Sequence, residues 1–114
     1  MAKRIQRVNE LIKKEISQLI LREVEFPKNV FVTVTRVETS PNLRESKVFI
    51  SVLSEQDKRT VFYLLNRQIY ALQQGINKRL KMRPIPKILF SEEKRTAEAG
   101  KIEAILEKLK KEQK

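Results

Sequence analysis

Apolar residues recur at three- and four-residue steps in two long parts of the chain, which predicts two helical regions before a shorter C-terminal one. The first helix is predicted over residues 3–23, and its apolar face consists of Ile5, Val8, Ile12, Ile16, Leu19 and Ile20. Pro27 ends it, because the residue before a proline is pushed out of helical geometry. The second region is predicted from about residue 58 to residue 82, and its apolar series contains Val61, Leu65, Ile69, Leu72, Ile76 and Leu80.

Gly75 interrupts this second series. A glycine inside a helix costs about 1 kcal/mol relative to alanine, so we expect a kink or a break at this position. One helix would end near Gln73, and a second piece would cover residues 76–82. Ser54 and Asp57 precede the region in the pattern of a capping box, in which the serine side chain accepts a backbone hydrogen bond and the acid returns one.

β-Branched and aromatic residues predict three strands. In the first, over residues 30–37, alternation places one set on one face (Val30, Val32, Val34 and Arg36) and a second set on the other (Phe31, Thr33, Thr35 and Val37). The second strand covers residues 47–53, and the polar connection between the two predicts an antiparallel pair. Residues 85–90 form the third strand, and its prolines belong at the strand start or on a sheet edge.

The order α-β-β-α-α-β predicts a two-layer α+β domain, in which the helices cover one face of a three-stranded sheet. We assign this domain to residues 1–91. We expect residues 92–114 to form a polar and partly flexible C-terminal tail. Four apolar residues in it recur at helical spacing and predict a helix over residues 97–109: Ile102, Ile105, Leu106 and Leu109.

Composition narrows the chemistry of this 114-residue chain. Cys and His are both absent, which excludes disulfides, cysteine zinc sites and histidine general bases. No segment approaches the roughly 20 apolar residues of a membrane span, and no secretory signal is expected. The carboxylates occur singly, and the chain has neither a Walker-type loop nor a dinucleotide fingerprint. We therefore expect no catalysis.

Positive charge is concentrated in one part of the chain. The net charge is +11, and residues 58–91 contain eight basic residues and no acid. A basic folded domain is typical of proteins that bind nucleic acid or an anionic membrane surface. No acid lies near the basic residues of this stretch, so we predict that they bind phosphates: Lys78, Arg79, Lys81, Arg83 and Lys87, together with Arg67. Three basic residues of the first helix extend this surface: Lys3, Arg4 and Arg7.

Several features allow more than one interpretation. Gly75 permits close approach of a ligand backbone, or it marks a corner between two packed helices, and we weigh the two equally. The basic and amphipathic terminal helices allow an alternative function, a protein-interaction or membrane-surface module. The strands lack the pattern of RNA-recognition sheets, so we expect the aromatic residues to pack in the core or between helices: Phe31, Phe49, Phe62, Tyr63 and Tyr70.

The order α-β-β-α-α-β matches the type II KH domain, although the chain has no Gly-x-x-Gly loop. Four segments carry a closer resemblance: residues 7–12 (RVNELI), 32–44 (VTVTRVETSPNLR), 47–53 (KVFISVL) and 81–90 (KMRPIPKILF). With these, nearly the whole chain resembles the ribosome-binding factor A family of bacteria. That family usually has an Ala-x-Gly kink in place of the loop and a Pro-Asp-Leu turn, where this chain has Gln73 and Asn42.

The resemblance implies a KH-like fold with a kinked helix pair in place of the loop. It also implies a cytoplasmic, monomeric and non-catalytic factor, without cofactor, metal or membrane partner, that binds the small (30S) ribosomal subunit and its 16S rRNA. Late maturation of the subunit, processing of the 5′ end of the 16S precursor and growth in the cold are the implied roles.

Overall fold

The fold is described from a computed structural model, which describes residues 2–94. Its elements are α1 (Ala2–Glu23), β1 (Val32–Thr39), β2 (Glu45–Val52), a short 3-10 turn (Glu55–Asp57), α2 (Lys58–Arg67), α3 (Ile69–Arg79) and β3 (Lys87–Glu92). The predicted order α-β-β-α-α-β is therefore confirmed. The predicted C-terminal helix of residues 97–109 lies outside the described residues.

The three strands form one sheet in the order β1-β2-β3. β1 and β2 are antiparallel, as predicted, whereas β2 and β3 are parallel. A parallel pair needs a long crossover connection, which α2 and α3 supply. The three helices bury their apolar residues against one face of the sheet, and the core includes Ile12, Ile16, Val48, Ile50, Leu65, Leu72, Ile76 and Ile88.

A bulge in β1 changes which of its side chains face the core. Val34 pairs with Ile50 but Arg36 pairs with Phe49, so one extra residue is inserted between them. The side chains beyond a bulge change faces relative to a regular strand. Val37 is consequently buried, and Arg36 lies on the open face with its Cζ 3.8 Å from the centroid of the Phe49 ring. The predicted alternation is wrong beyond Val34, because it assumes that successive side chains point to opposite faces along the whole strand, and the bulge interrupts that pattern.

The helical region breaks at Gln68 and not at Gly75. Gln68 has φ −99° and ψ 9°, and its N–H lies 3.3 Å from the Leu64 carbonyl oxygen and 3.2 Å from that of Leu65. A new helix begins at Ile69 and continues through Gly75. The predicted helix pair is confirmed but the predicted position of the break is wrong, because the propensity cost of one glycine is small beside the packing of a helix.

The predicted capping box does not form. The side chain of Ser54 makes no capping hydrogen bond. Instead, the N–H of Asp57 donates to the backbone carbonyl of Ser54 at 3.1 Å and closes the 3-10 turn. In a capping box, the same N–H would donate to the side chain of Ser54. The 3-10 turn therefore replaces the capping box.

Candidate nucleic-acid interface

Helix α3 presents different residues to the core, to β3 and to α1. Leu72 and Ile76 are fully buried in the core. Successive residues are rotated by about 100°, which places Gln73 and Asn77 on one side of this buried row and Gly75 with Arg79 on the other. The first side faces β3, and the second faces α1.

A groove of about 460 Å³ lies between α3 and the beginning of β3. It is lined by three apolar residues (Ile69, Ile85 and Ile88), by Tyr70, Gln73 and Asn77 of α3, and by two basic residues, Arg44 and Lys87. Tyr70 is 76% exposed, and both basic residues are exposed. An aromatic ring, amide groups and cations around an apolar floor match the parts of a nucleotide: its base faces, its base edges and its phosphates.

A tight turn holds Arg44 at this groove. The side-chain oxygen Oδ1 of Asn42 accepts hydrogen bonds from the Ser40 hydroxyl at 2.6 Å and from the Arg44 N–H at 3.1 Å. The carbonyl of Arg44 then accepts a hydrogen bond from the Lys87 N–H at 2.8 Å. The turn between β1 and β2 is thereby joined to the start of β3. Asn42 supplies its acceptor oxygen with no charge, whereas an aspartate would place an anion beside these cations.

Gln73 fastens α3 to the outer edge of β3. Its Oε1 accepts a hydrogen bond from the Ile88 N–H at 2.8 Å, and its Nε2 donates to the Pro86 carbonyl at 3.1 Å. β3 is an edge strand of the described sheet, so these two backbone groups have no neighbouring strand to pair with. Nε2 also lies 3.1 Å from Oδ1 of Asn77 and so orients that amide. One side chain therefore positions both walls of the groove.

The opposite side of α3 packs closely against α1. A Cβ atom at Gly75 would lie 2.6 Å from Cδ2 of Leu19 and 2.9 Å from Cδ1 of the same residue, which is too close for a real contact. The absence of a side chain therefore lets the two helices approach each other. Because the bare side of Gly75 faces Leu19, it offers no direct path to a ligand backbone.

Arg79 is used in the same helix contact. Its Nη1 donates to Oε2 of Glu15 at 2.9 Å and to Oε1 of Gln18 at 3.1 Å. The expectation that no acid pairs with the basic cluster is wrong for Arg79. The acid that pairs with it lies 64 positions earlier in the chain, on α1, so inspection of the local sequence could not reveal it.

The remaining predicted phosphate-binding residues are exposed, and they lie on several elements of the fold. Lys87 lines the groove, Lys78 points to solvent from α3, Lys81 and Arg83 lie in the connection between α3 and β3, and Arg67 ends α2. Lys3, Arg4 and Arg7 are exposed at the beginning of α1. With a rise of about 1.5 Å per residue, Lys3 lies about 18 Å along α1 from Glu15, and these three cations therefore extend the basic surface away from α3.

Two other basic residues are paired with acids. The H-bond from Arg36 lowers the pKa of the Glu93 carboxyl, which lies 3.0 Å from Nε of Arg36. Lys58 pairs with Glu55 and Glu92, and its hydrogen bond to Glu92 is the main cause that raises the pKa of Lys58. These charges connect structural elements, so the eight cations of residues 58–91 are not equivalent.

The prediction that the aromatic residues pack inside is correct only in part. Phe62 packs against the core, and Phe49 is half-buried beneath Arg36. Phe31 and Tyr63, however, are 61% and 62% exposed, and Tyr70 is still more exposed. Both tyrosines lie on helix faces turned away from the buried residues. Helical spacing, which identified Val61 and Leu65 as members of the apolar series, could also have predicted that the two tyrosines are exposed.

Three further features of residues 2–94 concern metal binding and membranes. Residues 2–94 contain no group of three or more His, Cys, Asp or Glu side chains that could hold a metal ion. Within the same residues, no helix combines the length and the apolar content needed to cross a bilayer. The apolar face of α1 is buried in the core, where Ile12 and Ile16 are fully enclosed. A membrane-surface role for α1 would require that face.

A family model described as "Ribosome-binding factor A" matches residues 4–106. The chain belongs to this family. A ribosome-binding factor A from Thermodesulfovibrio yellowstonii is 37% identical over 96% of this chain and 92% of its own length. This family membership confirms the resemblance carried by the strand and turn segments.

Solved structures agree with the fold. A Thermotoga maritima protein proposed to be a ribosome binding factor A, solved by NMR, superposes with a TM-score of 0.71 at 28% identity, covering 85% of this chain and 93% of that one. A homology model of ribosome binding factor A from Thermus thermophilus, fitted into a cryo-EM map of a 30S complex, superposes with a TM-score of 0.58 at 20% identity, covering 73% of this chain and 88% of that one. The KH-like α+β fold is therefore confirmed.

Proposed function

We propose that this member of the ribosome-binding factor A family is a non-catalytic assembly factor that binds the small ribosomal subunit through its 16S rRNA. The observation that carries the proposal is the α3–β3 groove, whose rim holds Arg44 and Lys87 beside an exposed tyrosine and an oriented amide. The Thermus thermophilus relative, which was fitted into a 30S complex, supports the choice of the small subunit as the partner.

In this proposal the groove holds an unpaired nucleotide of the rRNA. Arg44 and Lys87 neutralise the flanking phosphates, Tyr70 offers a face on which the base stacks, and Asn77 presents hydrogen-bonding atoms to the base edge. Exposed cations outside the groove add phosphate contacts that carry no sequence information: Lys78, Lys81, Arg83, Arg67, Lys3, Arg4 and Arg7. Arg79 and Gly75 serve the contact with α1 instead.

Holding an rRNA segment in single-stranded form gives the protein a role in assembly without any reaction of its own. A segment bound in the groove is unavailable for wrong pairing until the subunit around it has folded. Late maturation of the subunit and access of nucleases to the 5′ end of the 16S precursor would then depend on binding and release. The same role places the protein in the cytoplasm as a monomer without a cofactor, and it should matter most for growth in the cold.

Co-sedimentation with mature and immature small subunits tests the proposal. The wild-type protein should pellet with immature subunits, and raising the salt concentration should release it. For a single-stranded RNA ligand, log affinity should fall against log salt with a slope of about −0.7 per phosphate contacted. The paired substitution Arg44→Glu and Lys87→Glu should reduce binding at least 100-fold.

The matched control is Lys28→Glu with Lys47→Glu, which makes the same change in net charge at two other exposed positions. It should weaken binding much less than the groove variant. Equal losses in the two variants would mean that only the overall charge matters, and binding that ignores salt would contradict the phosphate contacts.

A further inference from the structure

The solvent face of α2 combines two arginines and a tyrosine that the groove does not use. Arg59, Tyr63 and Arg67 follow one another at four-residue steps, so they lie within about 80° of one another around the helix. The opposite side of α2 carries Val61 and Leu65, both fully buried. Tyr63 is 62% exposed, and both arginines are exposed. We refer to these three residues as the α2 stripe.

The charges of the α2 stripe are available to a ligand. Among the residues that the structure describes, Arg59 and Arg67 form no ion pair, in contrast to Lys58 on the same helix, which is held by Glu55 and Glu92. α2 itself contains no acidic residue. Arg59 and Arg67 carry like charges, so they do not stabilise each other. Within the described residues, neither guanidinium stacks on the ring of Tyr63, which lies between them.

The spacing of the stripe suits a single nucleotide. Tyr63 lies about 6 Å along the helix axis from each arginine, since four residues rise by that distance. A base stacked on the tyrosine ring would therefore have one guanidinium on each side, at the positions of its flanking phosphates. Stacking on an aromatic ring combined with cations along the backbone is the arrangement by which proteins bind single-stranded nucleic acid.

The stripe also leads to the groove. Arg67 is the last residue of α2, and Tyr70, at the groove rim, follows it across the break at Gln68. We propose that the α2 stripe is a second binding site for single-stranded RNA, in which an unpaired base stacks on Tyr63 while Arg59 and Arg67 contact the adjoining phosphates, so that one strand continues from the groove along α2. This site rests on the proposed binding of rRNA, and it adds to that interface one stacked base, at Tyr63, and one further phosphate contact, at Arg59.

Tyrosine fluorescence gives a direct readout of the stacked base. The chain has no Trp and only two Tyr, Tyr63 and Tyr70, so Tyr70→Phe leaves Tyr63 as the sole emitter and keeps an aromatic ring at the groove. Titration of this variant with an unstructured ten-nucleotide oligouridylate should quench the Tyr63 emission by more than half at saturation. The reciprocal variant, Tyr63→Phe, reports on Tyr70 alone.

Affinity and salt dependence separate stacking from charge. Tyr63→Ala should weaken oligonucleotide binding about tenfold and leave the salt slope unchanged, whereas Tyr63→Phe should bind within twofold of wild type. Arg59→Gln and Arg67→Gln should each make the slope shallower by about 0.7. All of these side chains are exposed, so the midpoint of urea unfolding should stay constant and show that each variant is folded.

Three results would overturn the site. If binding depends on Arg44 and Lys87 but Tyr63 emission does not respond, the stripe is wrong and the proposed function stands. If the stripe variants weaken sedimentation with small subunits but not oligonucleotide binding, the stripe contacts a ribosomal protein. If the wild-type protein binds neither the oligonucleotide nor small subunits, the proposed function fails and the stripe fails with it.

Discussion

One side of α3 packs against α1, whereas the other side lines the open groove at β3, although each side lies near positively charged residues. On the α1 side, Gly75 lies against Leu19, and the guanidinium of Arg79 is occupied by Glu15 and Gln18. On the β3 side, Tyr70 and Asn77 line an open groove together with exposed cations. A positive charge contributes to a nucleic-acid interface only if the fold does not already use it. The α1 side therefore stabilises the protein, while the β3 side is available for a ligand.

The strongest test of the packed side is a larger residue at position 75. Gly75→Val should lower the free energy of unfolding by about 2 kcal/mol, because the new side chain would occupy the space of Leu19. For a domain of this size the unfolding temperature should fall by about 10 °C. In a Leu19→Ala background the same substitution should cost less than about 0.5 kcal/mol. A penalty that is independent of Leu19 would mean that Gly75 is needed for another reason.

Adjacent residues allow a matched comparison of the two roles of charge. Arg79→Glu should destabilise the protein by about 1.5 kcal/mol, since it removes a partly buried ion pair and places a carboxylate beside Glu15. Lys78→Glu makes the same charge change at an exposed position and should alter stability by less than about 0.5 kcal/mol. RNA affinity of the folded protein should instead fall more for Lys78→Glu. The reverse ranking in either measurement would break the division between the two sides.

Gln73 belongs to the groove side yet should matter for stability. Gln73→Met keeps the length of the side chain but leaves the Ile88 N–H and the Pro86 carbonyl without their partner, and we expect a loss of about 1 kcal/mol. Urea unfolding measures this loss, and amide hydrogen exchange at Ile88 should become faster. Unchanged exchange at Ile88 would show that the edge of β3 is protected by something other than Gln73.

The smallest effect should come from Asn77. Asn77→Ala removes an amide that points into the groove without contacting the core, so stability should change by less than about 0.5 kcal/mol. The affinity for single-stranded RNA should fall about threefold, the effect of losing one neutral hydrogen bond. Oligonucleotide titration measures it, with Gln56→Ala as the control at an exposed amide of the 3-10 turn, outside the groove and the α2 stripe. A larger loss for Gln56→Ala would move the base-contacting site away from the groove.

The fold was largely predictable because its signals are local. Helical spacing alone placed Ile12, Ile16, Leu65 and Leu72 in the apolar series of the predicted helices, and all four are fully buried. The misplaced features have non-local causes. The bulge at β1 depends on its pairing with β2, and the break at Gln68 depends on how α2 and α3 pack across the sheet. The break was predicted at Gly75 because the low helix propensity of glycine can be recognised from the sequence, whereas the packing of the two helices cannot.

The candidate site was less predictable than the fold. Lys87 was identified from its charge, but Arg44 lies in the β1–β2 turn, whereas Tyr70 and Asn77 lie on α3, and no sequence pattern joins the turn, the helix and β3 into one site. Gln73 stood out only as a departure from the family pattern, and its hydrogen bonds to β3 span 13 and 15 positions of the chain. Contacts of this kind are created when the crossover returns the chain to the sheet.

The sequence by itself determined the order of elements, the family and the excess of positive charge, since periodicity, motifs and composition are properties of neighbouring residues. The tertiary structure alone decided which charges remain available. Glu15 and Arg79 are distant in sequence and 2.9 Å apart in space, so one cation of the basic stretch became a link between helices. Lys87, with the same formal charge, came to lie beside Arg44 at an open groove because a parallel strand must start at the same end of the sheet as its neighbour.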